Sequence, residues 1–105
     1  MVNVVWTEST LSDLNDIGEF IGKDSVRYAE LTVTRLFEST NILETHPKAG
    51  KKVPELNNNS FRELIRGSYR IIYFHVDELQ IEILTVHRSS RLLGNTYDFE
   101  NTVNE

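Results

Sequence analysis

The chain contains no cysteine. Disulfides and thiolate metal sites are therefore excluded, and a cytoplasmic setting is expected. Its 105 residues include only two prolines, Pro47 and Pro54. Both lie in one loop, so the flanking segments are free of the residue that most often breaks helices and strands. No apolar run approaches the roughly 20 residues that a membrane-spanning helix needs, so no membrane association is expected. The opening MVNVVWTEST lacks the basic and apolar regions of a secretory signal. Histidine is scarce as well, and the spacing of His46, His75 and His87 fits no metal-ligand pattern. Neither a metal nor a cofactor is expected.

Positive charge is in deficit, with 11 lysines and arginines against 16 acids and a net charge of −5. That argues against non-specific nucleic-acid binding. The deficit is uneven. Residues 1–45 hold eight acids and three bases, residues 46–70 hold six bases and two acids, and residues 71–105 hold two bases and six acids. One basic segment thus sits between two acidic ones.

What is present suits one small α+β domain. Hydrophobic residues are 39% and charged residues 26%, ordinary for a globular protein. Residues 2–6 form a short β-branched and aromatic run, a first strand that includes Trp6 as a core residue. Thr7 is placed to cap a helix whose apolar stripe is Leu11, Leu14, Ile17 and Ile21, with Asp13, Asp16 and Glu19 on the other face. A second helix, capped by Asp24 or Ser25, carries Val26, Ala29, Val33, Leu36, Phe37, Thr40 and Leu43 on one side and ends before Pro47. The short connection predicts an antiparallel helical hairpin. Residues 46–60 are the loop. Strands follow at about 61–66, 69–76 and 79–87, joined by the turns Gly67-Ser68 and Asp77-Glu78. The strand at 69–76 is apolar on both faces, as a doubly covered central strand would be. The hairpin can cover one face; the C-terminal tail or another molecule is expected to cover the second. The domain is predicted to span residues 1–93, with an acidic tail at 94–105 that holds a short helical turn and frays at its end.

The segment 61–91 is the most informative. Arg62, Arg66, Arg70, Arg88 and Arg91 punctuate its apolar strands, and His87 stands near the end. A guanidinium in a hydrophobic strand needs a paired anion or an open surface. Arg70 can pair with Glu63 or Glu82 on neighbouring strands, Glu55 with a nearby lysine, and His87 can be a plain surface histidine. His46 can close the second helix near its negative end.

The order of these motifs resembles the ParE/RelE family of bacterial toxins. The resemblance is carried by W-T at residues 6–7, D-L-x-x-I at 13–17, H-P-x-x-G at 46–50, V-P-E at 53–55, R-E-L at 62–64, Y-R-I-I-Y at 69–73 and V-H-x-x-R at 86–91. It implies an N-terminal strand and an antiparallel helical hairpin packed on a mainly antiparallel sheet. It also implies the toxin half of a type II toxin–antitoxin module, neutralised by a wrapping cognate antitoxin. ParE-like members poison DNA gyrase; RelE-like members cut messenger RNA in the ribosomal A site. The motifs lie closer to the ParE branch. For the gyrase reading the expected contacts are Arg70, His87, Arg88 and Arg91. For the nuclease reading the set is Glu55, Arg70 and His87, supplying acid–base groups and a cation for the phosphate. The resemblance ranks that reading second, because RNA-cutting members are rich in lysine and arginine and this chain is net acidic. A non-toxic antitoxin-binding member is the third possibility.

Overall fold

The computed structural model describes residues 1–89. Arg91 and the predicted tail with its helical turn lie outside the described residues. In chain order the elements are β1 (Asn3–Trp6), α1 (Glu8–Gly22), α2 (Val26–Glu38), a 3-10 turn (Asn41–Glu44), β2 (Lys51–Lys52), β3 (Phe61–Arg66), β4 (Tyr69–His75) and β5 (Gln80–Arg88). They form one five-stranded sheet in the order β1-β5-β4-β3-β2. β1 runs parallel to β5, and the other neighbours are antiparallel. The expected α+β architecture and strand positions are observed. The two-residue β2 was not anticipated, because two exposed lysines carry no strand pattern.

The caps behave as the sequence implies. The hydroxyl of Thr7 accepts from the Thr10 amide at the start of α1, and that of Ser25 from the Tyr28 amide at the start of α2. The second helix is shorter than its periodicity suggests. It ends at Glu38, and residues 41–44 continue as a 3-10 turn, so His46 follows that turn rather than closing α2. Ser39 and Thr40 turn their hydroxyls back onto the carbonyls of Leu36 and Phe37, competing with further helical bonds.

The core has two layers. Between the helices and the sheet lie Leu14, Leu36, Leu43, Leu64, Ile71, Tyr73, Ile81, Ile83 and Val86. On the other face Val53, Phe61, Ile72 and Leu84 cluster, with Leu56 and Phe74 packed on them. The second face of β4 is thus covered in part by the chain's own loop, through Val53 and Leu56, and not by the tail or another molecule alone. Val26 and Phe37, expected on the buried stripe of α2, are 66% and 47% exposed. Trp6 is half-buried; it stacks on Phe37 and donates to the Thr40 hydroxyl.

One irregularity organises the sheet. Between the Tyr73–Ile83 and Ile72–Thr85 pairs, β5 holds one extra residue, Leu84. A bulge frees backbone groups and shifts the alternation of side chains by one. Helix α1 takes up those groups. The Ile83 carbonyl accepts from the hydroxyls of Thr7, at 2.8 Å, and Thr10. The Asp13 carboxylate accepts from the Thr85 hydroxyl at 2.8 Å and the Val86 amide at 3.0 Å. Asp13 was expected on the solvent face of α1; it instead binds the helix to the bulge.

The H-P-x-x-G segment is held by Tyr73. Its fully buried phenol donates to the Pro47 carbonyl and accepts from the Gly50 amide, both at 2.9 Å. His75 Nε2 donates to the same carbonyl, and Arg62 Nη1 to the Gly50 carbonyl. A Cβ on Gly50 would lie 2.6 Å from the Glu63 carbonyl oxygen and 2.7 Å from the Tyr73 ring and hydroxyl. Only glycine therefore permits this approach. Tyr73→Phe should lower the unfolding free energy by about 1–3 kcal/mol, because it strands a buried amide. Gly50→Ala should also destabilise, since backbone must move. Urea denaturation checks both; wild-type midpoints would contradict the clamp.

Candidate functional site: a shared guanidinium on the second face of the sheet

The bulge decides which residues meet. Before it, Ile81 and Ile83 face the helices; after it, Val86 does. His87 is thereby turned to the opposite face, directly across from Arg70. Arg88 returns to the helix side, 5.9 Å from the ring centroid of Phe20, beside a hollow of about 340 Å³ that Tyr69 and Asp16 also line. Arg70, His87 and Arg88 are neighbours in strand register, yet they serve two different faces.

Arg70 is 6% exposed and His87 4% exposed. All three guanidinium nitrogens of Arg70 are engaged. Nη1 and Nη2 donate to the two oxygens of Glu55 at 2.6 and 2.9 Å, a bidentate pair. Nε donates to Glu63 Oε2 at 2.8 Å, and Nη2 also reaches that oxygen. Lys51 Nζ approaches the other oxygen of Glu63 at 3.7 Å. Of the partners considered from sequence, Glu63 is the strand neighbour of Arg70, whereas Glu55 pairs with Arg70 and not with a lysine. His87 is no surface histidine; it is buried at the edge of this cluster, close enough for its charge to act on Glu55.

The two carboxylates differ in setting. The Glu63 side chain is 3% exposed, on a strand paired on both sides at that position. The Glu55 side chain is 43% exposed, on a turn after Pro54. The hydrogen bonds from Arg70 hold the Glu55 carboxyl below its ordinary value, against the opposing effect of partial burial. The same bonds, Glu55's first, raise Arg70 further above its already high value. Burial pushes the Tyr73 phenol up. Among the described residues, no group of three or more His, Asp or Glu side chains could hold a metal ion.

The structure thus brings Glu55, Arg70 and His87 together and adds Glu63, which sequence reading saw only as a possible pairing partner. The signal available was its position: Glu63 is the one acid in β3, seven residues before Arg70. A second surface feature was not foreseen. The outer side of the helical hairpin carries a groove of about 770 Å³, lined by apolar residues such as Leu11, Val26 and Phe37 and rimmed by Glu19, Glu30 and Glu38.

Replacing Arg70 with alanine should cost about 3–5 kcal/mol, because it leaves Glu63 buried without its cation. Arg70→Ala is therefore a test of folding before it is a test of activity. Glu55→Gln should act differently. A carboxyl depressed in the folded state contributes stability above its unfolded pKa, and loses it as pH falls through the lower folded value. The wild type should exceed Glu55→Gln in urea midpoint at neutral pH, and the gap should close below the ordinary carboxyl value of 4.5. A gap unchanged down to strongly acid pH would contradict the pairing.

Comparison with known proteins agrees with this fold. A family model described as the ParE toxin of the type II toxin–antitoxin system, parDE, matches residues 4–93. The chain is 29% identical over 92 residues to Toxin RelE2 of Caulobacter vibrioides, covering 88% of this chain and all of that protein. Among solved structures, a chain of the chromosomal ParDE system from P. aeruginosa superposes with a TM-score of 0.68 at 22% identity, covering 84% of this chain and 96% of that one. A chain of the RelBE2 toxin–antitoxin complex from Mycobacterium tuberculosis gives 0.53 at 25% identity, covering 83% and 96%. With most of its length matched by that family model, the chain belongs to the ParE toxin family of type II toxin–antitoxin systems.

Proposed function

We infer that this toxin acts by binding DNA gyrase directly and inhibiting it, without chemistry of its own. The observation that carries the reading is the state of Arg70. A nuclease needs an accessible cation for the scissile phosphate. Here the candidate guanidinium is buried, and with Glu55 in place two carboxylates between them occupy all three of its nitrogens. The net charge of −5 also gives little attraction toward the ribosome. The exposed Arg88, backed by Phe20 and Tyr69, is the described residue best placed to touch a protein target; Arg91 extends the same reading beyond the described residues.

A partner antitoxin follows from the family and fits the groove on the helical hairpin. Its apolar floor and acidic rim suit an amphipathic segment with basic flanks. The RelBE2 relative was itself solved as a toxin–antitoxin complex. The groove adds a site of cover to the one expected on the second face of the sheet.

The ribosome-dependent nuclease remains the second reading, on one observation: Glu55, Arg70 and His87 converge on one face. The two readings separate in a paired assay. Antitoxin-free protein should abolish gyrase supercoiling or trap cleaved DNA, while transcripts in a parallel translation reaction stay intact. Arg88→Glu should weaken that inhibition about tenfold, or ~1.4 kcal/mol, with an unchanged melting temperature. Cut transcripts beside normal gyrase would overturn the reading in favour of the nuclease.

A further inference from the structure

We propose that the Nη1–Nη2 edge of Arg70 is a carboxylate-binding site in which Glu55 is a resident, displaceable ligand, and that an acidic side chain of a partner protein takes its place on binding. Arg70 is held by two anions of unequal permanence. Glu63 grips Nε and Nη2 from within the sheet and is almost wholly buried. Glu55 grips the outer edge through both oxygens from a turn, with its side chain 43% exposed. Rotation of one side chain vacates that edge. The flanking Val53 and Leu56 can stay packed on Phe61, Ile72 and Leu84 meanwhile, so no core is exposed. Beside Glu55 the Leu56 amide bonds locally to the Val53 carbonyl, and the loop is tied to β4 farther on, where the His75 amide bonds the Ser60 carbonyl.

The vacated edge presents two parallel N–H donors, the geometry that a carboxylate fills bidentately. Charge favours an exchange of like for like. With Glu55 withdrawn, Arg70 and Glu63 balance, and the exposed Lys51 on β2 stands beside Glu63. A free carboxylate cannot compete with Glu55, which is tethered at high effective concentration. A partner docked elsewhere on the toxin can, because its own carboxylate is tethered too. Protonation is a poor trigger, since Arg70 keeps the Glu55 carboxyl ionised. The cluster faces His87 from β5, Glu63 from β3, Lys51 from β2 and Glu55 from the loop. This inference rests on the protein-binding reading and explains how a buried arginine becomes a contact.

The test uses acetate as the probe and involves no gyrase, so its failure leaves the gyrase reading standing, and the reverse. Glu55→Ala, checked for fold by its melting curve, is titrated with sodium acetate against sodium chloride at matched ionic strength. The readout is the nitrogen and proton signals of the Arg70 guanidinium. Glu55→Ser provides the same vacancy if the alanine variant does not fold. The expected result is saturable binding in the variant with a midpoint about tenfold or more below that of wild type, as a tethered ligand imposes. Glu55→Gln, which keeps the site filled, should not gain it. The proposal is overturned by no saturable shift at Arg70 in the folded variant, or by an equal shift in wild type. It is also overturned if inorganic phosphate binds the vacancy markedly better than acetate, which would assign the site to a phosphodiester.

Discussion

A guanidinium removed from water must keep its charge and find anions. In this protein that constraint falls on Arg70, in the middle strand of the sheet. Its partners come from two places, Glu63 on the adjacent strand and Glu55 on the long loop. The ion cluster therefore joins the loop to the sheet at the point where the apolar cover of the second face ends. A buried ion pair is weak evidence for net stability, since desolvation offsets much of the attraction. Its stronger consequence is specificity. With both acids in place, the loop between β2 and β3 has one favourable docking on this face.

Two further devices fix the geometry around that charge. The bulge at Leu84 rephases β5, and without it Val86 rather than His87 would face Arg70. Thr7, Thr10 and Asp13 accept or satisfy the groups that the bulge releases, so α1 both covers the sheet and sets its register. On the helix side, Tyr73 pins residues 47–50 across a glycine that admits no side chain. The loop is thus fastened at its start by Tyr73 and near its middle by Arg70. These two residues lie three apart on one strand and point to opposite faces.

Much of this was legible from residue order. Strand boundaries at 61–66, both helix starts and the turn at Gly67 followed from alternation, capping residues and a glycine that adopts positive φ. What was not legible has physical causes. Helix α2 stops at Glu38 because hydroxyl side chains compete for its last carbonyls, which an apolar periodicity running to Leu43 conceals. The bulge was not read from the sequence, since the alternation of Ile81 and Ile83 with Glu82 gives way at Ile83-Leu84 to a mixed stretch that fixes neither face. The face of His87 and the separation of Arg88 from Arg70 were consequently hidden. The pairing of Glu55 depends on a loop that folds back fifteen residues, and nothing in its own sequence announces the partner.

The fold leaves the toxin with two distinct surfaces: a helical groove with an acidic rim, and a sheet face where a cation is held under a partly exposed carboxylate. If Glu55 is exchangeable as proposed, Arg70 has one fixed anion and one that yields. The most direct measurement is hydrogen exchange and rotation at the Arg70 guanidinium, followed by nitrogen-resolved NMR at neutral pH. The expected result is a slowly exchanging Nε proton held by Glu63, with the Nη1 protons held by Glu55 exchanging faster, and both slower than in the exposed Arg66. Averaged, rapidly exchanging signals indistinguishable from those of Arg66 would contradict it.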